Sequence, residues 1–164
     1  MLDSIAYAVR ETDIWVEVTT LLIPGENDGQ AEIEALSRWM LETCGPDVPL
    51  HFTAFHPDHR MLSHPRTPPE TLLMARRIAR EVGLHHVYVG NIHHEPAQSS
   101  YCAGCGARVI GRDWHQLSHW GLNGAGACLS CGAQFPGRIE GPPGDHGRKR
   151  RPVRIVGGDQ RPAA

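Results

Sequence analysis

The feature that most constrains the fold is a strand that runs straight into a helix start. Residues 15–28 begin as Trp-Val-Glu-Val-Thr-Thr-Leu-Leu-Ile, β-branched and apolar chain suited to a buried or half-buried strand. Pro24-Gly25 then stops the ladder, since proline has no N–H to donate and glycine favours a turn. Asn27 or Asp28 follows as an N-cap candidate for a helix. Along the strand, Glu17 and Thr19 fall on one side and Val18 and Thr20 on the other. A charge inside a buried strand is costly unless paired, so Glu17 is expected to face a barrel lumen or an edge.

The same unit recurs. A first helical stripe, Leu2, Ile5, Ala6 and Val9, leads into a strand expected at 14–22. A helix is expected at 29–43, with Ile33, Leu36, Met40 and Leu41 on its apolar face and Gly45-Pro46 at its end. The next strand spans 50–55. After a loop rich in Pro and His, Thr67-Pro68-Pro69-Glu70 has the form of a capping box with proline at the first helical turn. That helix turns Leu72, Ala75, Ile78, Ala79 and Val82 inward and stops at Gly83; a third strand follows at 86–90. The order α-β-α-β-α-β predicts parallel strands. Parallel strands are normally covered on both faces, so three of them are an incomplete piece: another chain pairs with the edge, or the piece belongs to a larger barrel.

From Tyr101 to Arg138 helix periodicity disappears and Gly and Cys dominate. Cys102-Ala103-Gly104-Cys105-Gly106 and Cys128-Leu129-Ser130-Cys131-Gly132 carry four of the five cysteines. Four thiolates in two such pairs surround one ion tetrahedrally, the two-residue spacer aiming both sulfurs from one turn. The glycine after each second cysteine can take positive φ and lets amides approach the sulfurs. Residues 106–127 suit a small β-hairpin ribbon, with Arg108-Val109-Ile110 as one strand. Zinc is the first ion to consider, and iron in a rubredoxin-like site uses the same ligands. Four cysteine ligands leave no place for water, which favours a structural role. Two disulfides or free thiols are the alternative. Cys44, at a helix end, reads as a buried structural thiol.

The 11 histidines include His115 and His119 at i, i+4, but these sit inside the ribbon and read as non-ligands. A net charge of −2 does not imply a nucleic-acid or membrane partner, and no apolar run reaches the length of a membrane span. Without a secretory leader, the paired cysteines favour metal in reducing cytoplasm. The tail, with Arg148-Lys149-Arg150-Arg151, is Gly-, Pro- and Arg-rich and reads as disordered. The domains expected are a half-barrel α/β segment at 1–95, a four-cysteine metal ribbon at 96–138 and a disordered tail at 139–164. Phe55-His56-Pro57-Asp58 and Gly90-Asn91 join Pro24-Gly25 at the C-terminal strand edge, where ligands bind in parallel sheets. His56 there can hydrogen-bond a ribose or a carboxylate, or simply cap the loop.

Glu17-Val18-Thr19-Thr20-Leu21-Leu22-Ile23-Pro24-Gly25-x-Asn27-Asp28, Phe52-Thr53-Ala54-Phe55-His56-Pro57-Asp58, Val87-Tyr88-Val89-Gly90-Asn91 and the Cys-x-x-Cys-Gly pairs occur in that order. Together they resemble the C-terminal half of radical SAM proteins of the AmmeMemoRadiSam-system group, which is similar to pyruvate formate-lyase activating enzymes. The resemblance implies the last three parallel strands of a (β/α)6 partial TIM-type barrel that binds a 4Fe–4S cluster and S-adenosylmethionine. In that family, reductive cleavage of the sulfonium yields a 5′-deoxyadenosyl radical that abstracts hydrogen from a substrate, in the activases a protein glycine. His56 matches the position expected to contact S-adenosylmethionine, and Ile23 the aliphatic position near adenine. The family's Cys-x3-Cys-x2-Cys motif and its Gly-Gly-Glu-Pro type motif are absent from the sequence, and Cys102, Cys105, Cys128 and Cys131 have a different spacing. The chain is therefore expected to be inactive alone and to need the missing N-terminal half of the barrel, or an equivalent chain, as partner. A reading from another class is a stand-alone zinc-ribbon module that binds protein or RNA.

Overall fold

The computed structural model describes residues 1–139; apart from its first residue, Ile139, which packs against the ribbon core, the expected disordered tail with its basic run lies outside the described residues. The elements are α1 (Leu2–Glu11), β1 (Val18–Leu22), α2 (Gln30–Cys44), β2 (Leu50–Ala54), α3 (Pro69–Val82), β3 (Val87–Gly90), α4 (Glu95–Gln98), β4 (Ser100–Tyr101), β5 (Arg108–Asp113) and β6 (Gln116–Trp120). The first three strands form a sheet in the order β1-β2-β3, parallel throughout. The expected α-β-α-β-α-β order and parallel pairing are both present.

One face of this sheet is packed. Leu22, Leu50, Phe52, Ala54, Val87 and Val89 point into a core with Ile33 and Met40 of α2 and Leu72, Ala75, Ile78 and Ala79 of α3. The apolar stripes of the two helices are the ones their periodicity predicts, with Leu36 and Leu41 packed at the margin, except that Val82, expected inward, is not part of the core. Each helix ends at a glycine of positive φ, Gly45 (84°) and Gly83 (121°), whose N–H bonds back to the last turn. Helix α1 is amphipathic but buries none of its residues. It is tied to the end of α2 by Arg10, whose Nε donates to the Thr43 carbonyl at 3.0 Å.

Three local expectations differ from the structure. The first strand begins at Val18 rather than at residue 14. Val18 N donates to the Pro49 carbonyl and Val18 pairs with Leu50; Pro49 has no N–H with which to carry the ladder further back. Asn27 and Asp28 do not cap α2, whose N-cap is Gly29. Their side chains close the preceding turn: Ile23 N donates to Asn27 Oδ1 (2.7 Å) and Gly25 N to Asp28 Oδ1 (2.9 Å). Thr67 is not the N-cap of α3, a place taken by Pro68 without a side-chain cap, although Pro69 does open the helix. Thr67 is instead buried, and its hydroxyl donates to the Leu22 carbonyl (2.6 Å) and accepts from Phe55 N (2.8 Å). It joins the C-terminal ends of β1 and β2.

A second sheet, β4-β5-β6, is antiparallel. The expected hairpin is β5–β6, and Arg108-Val109-Ile110 opens its first strand. This module has its own small core of Val109, Ile110, Leu122, Phe135, Cys102 and Cys128, whereas Ile92 and Ala97 still belong to the first core.

Candidate metal centre and the open face of the sheet

The two cysteine pairs fold into near-identical knuckles. In the first, Cys102 N donates to the Ala107 carbonyl (2.8 Å) and Gly106 N to the Cys102 carbonyl (2.9 Å). In the second, Cys128 N donates to the Ala133 carbonyl (2.8 Å) and Gly132 N to the Cys128 carbonyl (2.8 Å). Gly106 (φ 73°) and Gly132 (φ 75°) turn each knuckle in the left-handed region, as their place in the motif predicts. The isolated bridges Leu122↔Cys128 and Ala127↔Gln134 carry the second knuckle back beside the first.

All four Sγ atoms lie within 4.8 Å of one another. Cys102 Sγ is 3.6 Å from Cys131 Sγ, and Cys105 Sγ is 3.8 Å from Cys128 Sγ. A tetrahedron of Zn–S bonds of about 2.3 Å has sulfur–sulfur edges of about 3.8 Å. The four sulfurs therefore fit one tetrahedral ion. They do not fit a 4Fe–4S cube, whose iron and sulfide corners stand between the ligand sulfurs and hold them farther apart. None of the five cysteines is in a disulfide. The amides of Ser130 and Cys131 hold the Cys128 thiol down at about 7. At Cys105 the Ala107 amide favours the thiolate, but the neighbouring sulfurs, Cys131 first, win and push it up to about 12. Cys44 is half-buried at the edge of the first core, and burial pushes its thiol up, as suits an inert packing residue. His115 and His119 are exposed on the hairpin and lie outside the four-sulfur group.

The C-terminal strand edge gathers the other sequence candidates. Register pairs Leu22 with Ala54, so Ile23 and His56 leave the sheet at the same end. Ile23 is half-buried; His56 is exposed, its Nδ1 2.9 Å from the Pro57 carbonyl oxygen. Asn91 donates from Nδ2 to the Ala54 carbonyl (3.2 Å), and His64 Nε2 meets Glu26 Oε1 at 2.8 Å across the two neighbouring loops.

The sheet face opposite α2 and α3 is polar. Alternation places Thr19, His51 and Tyr88 side by side on it, since Thr19 pairs with His51 and His51 with Tyr88. Glu17 joins them: its Oε2 lies 2.8 Å from His51 Nε2, and its Oε1 accepts from Trp15 Nε1 at 2.9 Å. Burial alone would raise the Glu17 carboxyl, but those two bonds and the nearby charge of Arg112 outweigh it and hold Glu17 below its ordinary value. Of the two places expected for Glu17, an edge is the one the structure shows: it lies just before β1, the edge strand of the sheet, beside the polar face. Arg112, reaching over from β5, stands 5.5 Å above the Tyr88 ring, and its Nη1 donates to Ser100 Oγ at 2.6 Å, to which Tyr88 Oη also bonds. Between this face and the ribbon lies a cavity of about 710 Å³. Sequence reasoning found Glu17 but not His51, Tyr88 or Arg112. The period-two polar positions of β2 and β3 carry the signal for the first two; nothing local marks Arg112.

No family model matches the chain, and no solved structure matches it. Among curated proteins, the chain is similar to the uncharacterized protein MJ0808 of Methanocaldococcus jannaschii, with 42% identity over 103 residues. That stretch is 63% of this chain and 31% of that protein, so the chain spans less than a third of the length of the curated relative it matches. No helix among the described residues is long and apolar enough to cross a membrane.

Proposed function

We propose that the chain is the C-terminal portion of a radical SAM enzyme that resembles glycyl-radical-enzyme activases, with a structural zinc or iron ion in the four-cysteine ribbon. The observation that carries this reading is one-sided helical cover. A parallel sheet packed on one face by α2 and α3, with Glu17, His51 and Tyr88 on the other, has the layering of a barrel wall around a polar lumen. The longer relative leaves room for further strands. His56 and Ile23 would hold the nucleoside part of S-adenosylmethionine at the strand edge. The 4Fe–4S cluster would take its ligands from the missing N-terminal half of the barrel, because the four sulfurs here suit a single ion. S-adenosylmethionine with that cluster would supply radical hydrogen abstraction, by analogy from a protein substrate, and the part of this chain would be to hold the nucleoside through His56 and Ile23. The partner half would be cytoplasmic, like this chain.

The test joins this chain to an N-terminal half that bears Cys-x3-Cys-x2-Cys, under anaerobic, reducing conditions. The expected product is 5′-deoxyadenosine, with less of it from His56→Ala. No cleavage of S-adenosylmethionine despite a loaded cluster would sink the reading. The completeness of the four-sulfur knuckle favours a second one, a zinc-ribbon module that binds protein or RNA by itself. It requires partner affinity in the isolated chain that disappears with Cys128→Ser.

A further inference from the structure

We propose that the cavity between the open sheet face and the ribbon binds a flat, anionic small molecule, its ring against Trp15 and Tyr88 and its carboxylate or phosphate on Arg112. This goes beyond the radical SAM reading and does not rest on it. His56 and Ile23 do not line this cavity, whereas Glu17 and His51 do.

The volume, about 710 Å³, lies inside the range of about 300–1,000 Å³ typical of small-molecule sites. The cavity has a floor from one sheet and a wall from the other, so it is a built cleft rather than a dent in a loop. Its floor is His51, Tyr88 and Gly90. Gly90 keeps the floor low: a Cβ there would come 3.3 Å from Thr53 Oγ1.

The charge of the walls points to an anion. Among the described residues, Arg112 and Arg138 line the cavity together with one carboxylate, Glu17. Each Glu17 oxygen already has a partner, Oε1 in Trp15 and Oε2 in His51. Arg112 is different. A guanidinium carries five N–H donors in a fork that matches carboxylate or phosphate oxygens. Here its one side-chain hydrogen bond among the described residues goes to Ser100, and its Cζ stands 5.5 Å over the Tyr88 ring. A half-buried, oriented guanidinium with unfilled donors beside a cleft is an anion receptor. Next to it, Tyr88 and the indoles of Trp15 and Trp114 line the same space. Aromatic faces favour a planar ring in offset or edge contact.

The experiment titrates the purified chain by calorimetry with 4-hydroxybenzoate, adenosine 5′-monophosphate and inorganic phosphate, with tryptophan fluorescence as a second readout. Saturable one-site binding of a ring-bearing anion with Kd below about 1 mM, at least tenfold tighter than phosphate, is the expected result. Tighter binding of the benzoate assigns a carboxylate ligand, and tighter binding of the nucleotide assigns a phosphate ligand. Arg112→Gln should weaken binding about tenfold or more, with Arg112→Lys recovering only part of it. Trp15→Ala, at a position 42% exposed, tests the ring contact. Circular dichroism and metal content confirm that each variant is folded. Absence of saturable binding by both ring-bearing anions in the wild-type chain overturns the proposal. So does phosphate binding as tightly as either, or a folded Arg112→Gln with unchanged affinity.

Discussion

Thr67 holds two strand ends together through one hydroxyl, and the energetic consequence can be worked out. It is 1% exposed, with Leu22 fully buried and Phe55 nearly so. In Thr67→Val the shape survives, but the Leu22 carbonyl and the Phe55 N–H each lose their bond to the hydroxyl. A buried polar group left without a partner costs about 1–3 kcal/mol, so with two such groups the variant should lose about 2–6 kcal/mol. Thr67→Ser keeps both bonds and removes one methyl group, worth about 1 kcal/mol. Valine, the more apolar residue, should therefore be the worse substitution by about 1 kcal/mol or more. Urea unfolding followed by far-UV circular dichroism, with unchanged m-values, gives both numbers. If Thr67→Val is as stable as Thr67→Ser, the hydroxyl is not a tie and the argument fails. A helix-capping role predicts a different pattern: both Val and Ala would lose only about 1 kcal/mol, as a missing N-cap does.

Three further outcomes follow from the site and its surroundings. Elemental analysis should find one zinc or iron per chain, and Cys128→Ser should lose it and the near-UV signal of the ribbon while the helical signal of the separate first core persists. Gly106→Ala meets nothing within 4 Å yet must keep φ near 73°, so it should cost about 1 kcal/mol and weaken metal binding about fivefold, whereas Gly124→Ala should be near neutral on both counts. His86 is 2% exposed with neither ring nitrogen hydrogen-bonded, and burial pushes it below its ordinary value of 6.5 although Asp47 at 3.6 Å pulls the other way. Below that pH the unfolded chain takes up a proton that the folded chain refuses, so stability should fall as pH drops through the ordinary value and level off beneath the folded one. His86→Phe should flatten that slope in urea titrations compared at about pH 7.5 and about pH 5.5.

What the sequence determined by itself is everything encoded within one turn or one strand. The Cys-x-x-Cys-Gly knuckles need only five consecutive residues, and the structure forms both of them with glycine at positive φ. The apolar stripes of α2 and α3 and the breakers Gly45 and Gly83 are equally local, and so is the parity that sets Glu17 apart from Val18. The parallel order of the strands follows from the alternation of those elements. What only the tertiary structure decided depends on register between distant segments. Thr67 has the sequence context of a helix cap, but its hydroxyl is claimed by Leu22, 45 residues away, because burial rewards a bond that closes two strand ends. The first strand is cut short by Pro49 on its neighbour, which no inspection of residues 14–17 reveals. The cluster of Glu17, His51, Tyr88 and Arg112 comes from the residue before β1, two strands of the first sheet and one of the second, so each member is ordinary in its own stretch of chain. Hydrophobic periodicity says which residues leave water; it does not say which polar residues meet once they have.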